Sequence, residues 1–176
     1  MSRDEVYETL LADHRSAVRA YTDKAKAVSS SQWFTPRAEG KWTPAEETLH
    51  LILAYEALTR DLLEGKTLRL RGTPFKRRLW RVIGMFNVLW RNRLYRGVTA
   101  PRELRPLPEK VSRDKLVPLF IQRVAEFEAA VEFTRSKDPQ RTVTHPMMGA
   151  LTLAHSLKFC AVHTRHHAAF LPSVAP

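Results

Sequence analysis

The chain has 176 residues and a mass of 20.3 kDa, is 44% hydrophobic, and contains 6 glycines and one cysteine. That length predicts one domain, 1–176, large enough for a sizeable core, and the composition suits a helical globular protein rather than a disordered or all-β one. The formal charge of +11 is regional: residues 66–115 hold 15 Lys/Arg against 3 Asp/Glu, whereas the remainder holds 14 against 15.

The single Cys160 excludes an internal disulfide and a cysteine cluster of the zinc-finger kind. The charged start, Met1-Ser-Arg-Asp-Glu, runs straight into an amphipathic segment and predicts no secretory signal. No run of 18 apolar residues is present, so no spanning helix is expected, and a cytoplasmic location follows by default.

From Asp4 to about Ser29, Val6, Leu10, Leu11, Ala17, Val18 and Tyr21 recur at helical steps with charges between them. Residues 30–42 read as a connection carrying Trp33 and Trp42 and closed by Gly40. Thr43-Pro44-Ala45-Glu46 is a helix start: Thr43 caps, Pro44 fits the first helical position, and Glu46 can reach back to complete a capping box. The second helix runs to about Glu64 and stops at Gly65. Ser112 can cap a third, lined by Leu116, Leu119, Phe120, Val124, Phe127 and Val131 and ended by Asp138-Pro139. After a turn at His145-Pro146…Gly149, Thr152 caps a fourth that reaches about Phe170. No strand-like alternation of any extent appears. Four helices of this length predict an all-α four-helix bundle. The stretch 65–111 is too long for a simple loop, and the pattern places a short helix in it from Phe75 to Tyr95. The expected architecture is therefore a bundle with a basic helical insertion, about 66–111, between its second and third helices.

Function is most legible in the histidines. His163 and His167 are four residues apart on the last helix, about 40° apart around its axis and one turn along it, so both lean over one patch. His50 lies in the apolar run Leu49–Leu53 and faces inward. Alone, it reads as a core histidine bonded to a carbonyl or hydroxyl. With the other two it completes a three-imidazole set, a common way to hold catalytic zinc with a fourth position open. Glu46 and Glu47 can act as acceptors that fix a histidine tautomer, although a first-turn position favours use as capping charges. His166 points about 100° away from His167 and is a poor co-ligand. His155 reads as a pocket or face residue, His145 as bonded within its turn, and His14 as surface or interhelical. Cys160 reads as a buried, inert thiol.

These residues carry a resemblance. Trp42-Thr-Pro-Ala-Glu-Glu-Thr-Leu-His50-Leu, then His145-Pro-Met-Met-Gly-Ala-Leu-Thr152, then His163-Thr-Arg-His-His167 resemble, in order and context, the DinB/YfiT-like superfamily. The match spans roughly 33–63 and 113–171. The resemblance implies a four-helix bundle holding a divalent metal, zinc or nickel, on His50, His163 and His167. It also implies a small-molecule substrate, and makes a homodimer plausible. Characterised members include enzymes that use low-molecular-weight thiols, such as mycothiol-dependent maleylpyruvate isomerases and bacillithiol transferases. The resemblance thus implies a metal-activated thiol or water, with a thiol cofactor as one option, in a transferase or hydrolase reaction. Other members are known only as metal-binding bundles. Many relatives carry glutamine three residues after the last histidine; here that position is Phe170. No catalytic residue is assignable.

The basic segment offers a rival explanation. Lys76-Arg77-Arg78, Arg81, Arg91, Arg93 and Arg96 interleave with Phe75, Trp80, Phe86, Trp90 and Tyr95. The pattern suits an interfacial helix on an anionic membrane surface. It also suits nucleic-acid binding, or a lid helix whose aromatics pack on the bundle while its arginines stay solvated. The segment can equally line the mouth of a metal pocket and attract an anionic substrate.

Overall fold

The computed structural model describes residues 2–69, 72–94, 99–107 and 110–172. In chain order the elements are α1 (Arg3–Ala27), α2 (Ser30–Trp33), α3 (Pro44–Glu64), α4 (Pro74–Trp90), a 3₁₀ turn (Arg102–Leu104), α5 (Arg113–Lys137), β1 (Thr142–His145), β2 (Gly149–Thr152) and α6 (Leu153–Ala168). Tyr95 and Arg96, and the side chain of Arg77, lie outside the described residues.

Local chemistry sets the boundaries of α3. The Thr43 hydroxyl accepts from the Glu46 amide, and the Glu46 carboxylate accepts from the Thr43 amide, closing the expected capping box. Gly65 ends the helix with φ of 68°, a left-handed conformation that a side chain would strain. Thr152 caps α6 by accepting from the His155 amide. Ser112 stands at the start of α5 but makes no side-chain cap bond.

Long α1, α3, α5 and α6 form the bundle, with α1 beside α6 and α5, and α3 beside α5 and α6. Pairings between helices give the directions. Tyr21 meets Thr48 and His14 meets Tyr55, so α1 and α3 run opposite ways. Tyr7 donates to Glu132 while Arg113 donates to the Val28 carbonyl, so α1 and α5 are also antiparallel. It follows that α3 and α5 are parallel neighbours. A chain leaving the end of α3 must travel back the helix length, about 30 Å, before α5 can begin. That return is the physical reason for the long stretch after Gly65, and α4 is built within it.

The joint between α5 and α6 corrects one expectation. A turn at Pro146–Gly149 is present, but it is flanked by a two-stranded antiparallel hairpin pairing Thr142 with Thr152 and His145 with Gly149. Four-residue strands are too short to show alternation in sequence. Tyr21, Tyr55, Phe120, Phe127, Leu51 and Leu157, from the four bundle helices, form the buried core, and Trp33 of α2 is buried in the same cluster.

A polar file crosses that apolar centre. Glu128 Oε1 lies 2.9 Å from His14 Nδ1, His14 Nε2 lies 2.8 Å from the Tyr55 hydroxyl, and that hydroxyl lies 2.9 Å from Thr164 Oγ1. Such groups are tolerated in a core only because each finds a partner. The file ties α5, α1, α3 and α6 together at one level, and it places Thr164 next to His163. His14 is thus interhelical.

Candidate metal centre

His50 comes from the N-terminal half of α3, and His163 and His167 from the C-terminal half of α6. Because α3 and α6 run antiparallel and touch, the three imidazoles meet near one end of the bundle. The Nε2 atoms of His50 and His163 are 3.2 Å apart, and those of His167 and His163 are 3.0 Å apart. The ligand atoms of all three lie within 4.8 Å of one another.

The outer nitrogens show which way each ring is held. His50 Nδ1 donates to the Leu104 carbonyl at 2.8 Å. A carbonyl only accepts, so this ring carries its proton on Nδ1 and presents a lone pair at Nε2. His167 Nδ1 lies 2.5 Å from Glu47 Oε2. When Glu47 is a carboxylate, Nδ1 donates to it and Nε2 is again a lone pair. Both rings are thereby oriented from behind, the usual support for histidines that coordinate.

Three converging nitrogens are a poor hydrogen-bonding arrangement on their own. A proton on His163 Nε2 can serve one of its two neighbours and leaves the other lone pair facing it. One cation serves all three. In a tetrahedral site with metal–nitrogen bonds of about 2.0–2.1 Å, adjacent nitrogens sit about 3.3 Å apart, close to the spacings here. The donor set therefore fits a divalent ion with a fourth position open.

The electrostatics agree. Burial holds His163 and His167 well below the ordinary histidine range, and the neighbouring imidazoles push the same way. Burial also lowers His50, against the bond to Leu104. All three are neutral at physiological pH, the form that coordinates. Burial pushes Glu47 up to about 8, opposed by Arg37 and reinforced by Glu46. Without a cation, Glu47 and His167 thus form a neutral pair, despite a spacing short enough for an ion pair. Positive charge at His167 Nε2 favours the Glu47 carboxylate, accepting from Nδ1–H.

Aromatic rings wall the three histidines. Trp42 stands 4.9 Å from His50 and 6.3 Å from His167, between ring centroids, and Phe159 stacks on His163 at 5.2 Å. Phe170 meets His167 edge-on at 5.8 Å and carries the Arg37 guanidinium 3.9 Å above its face. Phe170 is thus part of a cation–π pair beside His167. These groups open onto a cavity of about 760 Å³, which Trp80, Gly84 and Leu104 also line. The segment after α3 therefore supplies one wall of the cavity, and Arg37, Lys41 and Arg105 are its cationic side chains.

The remaining candidates separate clearly. His145 is half-buried and accepts at Nδ1 from the Met147 and Met148 amides, at 3.2 and 3.1 Å, so its proton lies on Nε2. It lines the cavity, and desolvation lowers its pKa to about 4. His166 also lines the cavity, edge-on to His167 and Phe170, but stands outside the ligand group. His155 is half-buried, and Arg81 adds to the burial that lowers its pKa. Cys160 is buried and its thiol is pushed far up, so it is no nucleophile. Glu46 caps α3 as expected, whereas Glu47 turns inward and holds His167 on the opposite helix. Capping alone was too small a role for it.

Residues 10–171 match the sequence profile of the DinB superfamily. The chain belongs to the DinB superfamily. A solved structure, YfiT from Bacillus subtilis, aligns over 97% of this chain and 86% of its own, with a TM-score of 0.57 and 16% identity. That likeness is one of fold, and YfiT is reported as "a probable metal-dependent hydrolase with an unusual four-helix bundle topology". No curated protein matches the chain. Within this DinB bundle, His50, His163 and His167 form the group of histidine, cysteine and acidic residues able to hold a metal among the described residues.

Proposed function

We propose that the protein is a divalent-metal-dependent enzyme whose ion is held by His50, His163 and His167, with the fourth position open to water or a thiol for hydrolysis or transfer. The observation that carries this reading is the convergence of three neutral Nε2 atoms, two of them aimed by hydrogen bonds behind the ring. Three imidazoles suit zinc or nickel better than a hard cation that seeks oxygen ligands. The description of YfiT as a probable metal-dependent hydrolase supports the same class of chemistry.

Bound there, the ion lowers the pKa of water or a thiol and so supplies a nucleophile at neutral pH. The chain's own residues do the rest. Leu104 and Glu47 keep two rings in the coordinating tautomer. Trp42, Phe159 and Phe170 exclude bulk water from the histidines, which strengthens every charge interaction inside. Arg37, Lys41 and Arg105 give the cavity a positive cast and favour an anionic substrate. His145 presents a neutral N–H donor in the cavity wall, suited to an oxygen that gains charge as the substrate is attacked.

Turnover tests the reading. Zinc-loaded and nickel-loaded protein is assayed against ester and amide substrates, and against thiol–electrophile pairs, beside His163→Ala. Turnover by the loaded wild type that vanishes in the variant is the expected result. A fully loaded protein inert to both substrate classes would be a metal-binding bundle instead.

A further inference from the structure

One face of α4 is left over by the bundle. Phe75, Leu79, Val82, Phe86 and Trp90 are 77%, 50%, 65%, 54% and 79% exposed. Their spacing of four, three, four and four residues keeps them within an arc of about 80° at about 100° per residue. The opposite face does the packing: Val88 is buried, and a Cβ on Gly84 would stand 2.9 Å from Met148 Cγ and Sδ. The apolar arc is therefore a second, outward face rather than misassigned core. Five large side chains in one exposed stripe are far more than scattered surface hydrophobes.

Charge indicates what covers that stripe. From Lys66 to Arg102 the sequence holds 11 Lys/Arg and no Asp/Glu. Exposed Lys76 lies about 40° beyond one edge of the arc and exposed Arg78 about 40° beyond the other, with Arg91 and Arg93 past the C-terminal end. Two copies docked through this face would oppose cation to cation. A nucleic acid would meet the cations but leave Leu79, Val82 and Phe86 without an apolar partner. An anionic bilayer satisfies both, with the stripe in the acyl boundary and the cations among the head groups. No helix among the described residues is long and apolar enough to cross a membrane, so α4 would lie in the interface.

We propose that α4 docks the protein onto anionic phospholipid surfaces through Phe75, Leu79, Val82, Phe86 and Trp90, with Lys76 and Arg78 at the rims. The proposal is independent of the metal reading. Flotation with vesicles of phosphatidylcholine containing about one-third phosphatidylglycerol tests it. Wild type is expected to float with these vesicles and to bind pure phosphatidylcholine at least ~10-fold more weakly. Val82→Ser/Phe86→Ser/Trp90→Ser and, separately, Lys76→Glu/Arg78→Glu should each weaken partition at least ~10-fold. Both variants should keep wild-type helicity and metal uptake. Should a variant misfold, wild-type fluorescence decides: brominated lipid should quench Trp90 emission, and Trp90→Phe should lose that component. The proposal is overturned if wild type stays with the aqueous phase. It is equally overturned if the serine variant binds as wild type does, leaving charge adsorption alone. Self-association through α4 without vesicle binding, or a preference for duplex nucleic acid, would also overturn it.

Discussion

Two adjacent glutamates in the first turn of α3 do different jobs, and the difference can be measured. Glu46 closes a capping box on Thr43, whereas Glu47 reaches across the bundle to His167. Removing an acceptor that orients a coordinating histidine typically costs 10–100-fold in metal affinity. Glu47→Ala should therefore weaken zinc binding by about that factor in a chelator competition, while Glu46→Ala costs about 1 kcal/mol of stability and leaves affinity unchanged. Equal affinities for the two variants would remove Glu47 from the centre. Tyr55 offers a second test, because its hydroxyl bonds both His14 and Thr164 in the core. Tyr55→Phe should destabilise the fold by about 2 kcal/mol in urea unfolding. The histidines themselves were legible in sequence, because four-residue spacing on a helix and an inward apolar context are local signals. The acceptor for His50 was not. Leu104 contributes a backbone carbonyl, which every residue possesses, from 54 positions away.

At the scale of elements, capping residues and stop signals placed α3 to the residue and the other long helices to within a few. The strands of the hairpin escaped because each spans four residues. Helix α4 was legible as a helix, but it ends at Trp90 rather than Tyr95, and its close seat on the turn was not legible: it depends on the absence of a side chain at Gly84, opposite Met148. An alanine there would displace a flexible methionine and gain helix propensity. Gly84→Leu should instead lever α4 away from the turn. Amide exchange in α4 is expected to rise, with α1, α3, α5 and α6 unchanged. Unaltered exchange in α4 would mean that this contact does not hold the helix.

For the whole molecule, the direction of the helices decides where chemistry can sit. Parallel α3 and α5 force the long return, and that return brings Leu104 behind His50 and Trp80 to the cavity wall. Sequence showed the length of the connection but not its direction, since direction depends on contacts between distant helices. The desolvated imidazoles also shape stability against pH. His145 binds a proton near 6.5 when unfolded and only near 4 when folded, so the unfolded chain holds more protons between those values. Stability should therefore rise with pH across that window and be lost as pH falls through it, by about 3 kcal/mol from His145 alone. His163 and His167, also held low, act in the same direction, whereas Glu47, raised to about 8, opposes it above its ordinary range near 4.5. Metal-free protein unfolded in urea at pH 7, 6, 5 and 4 should show this loss, and His145→Gln should make it smaller than in wild type.

The most direct measurement of the three-histidine centre is the metal content of untagged protein, for wild type and for His50→Ala, His163→Ala and His167→Ala. We expect about one zinc, nickel or similar ion per wild-type chain, lost in each variant while the helical signal is retained. A wild type that stays metal-free after incubation with divalent ions, or variants that bind as well as wild type, would contradict the centre.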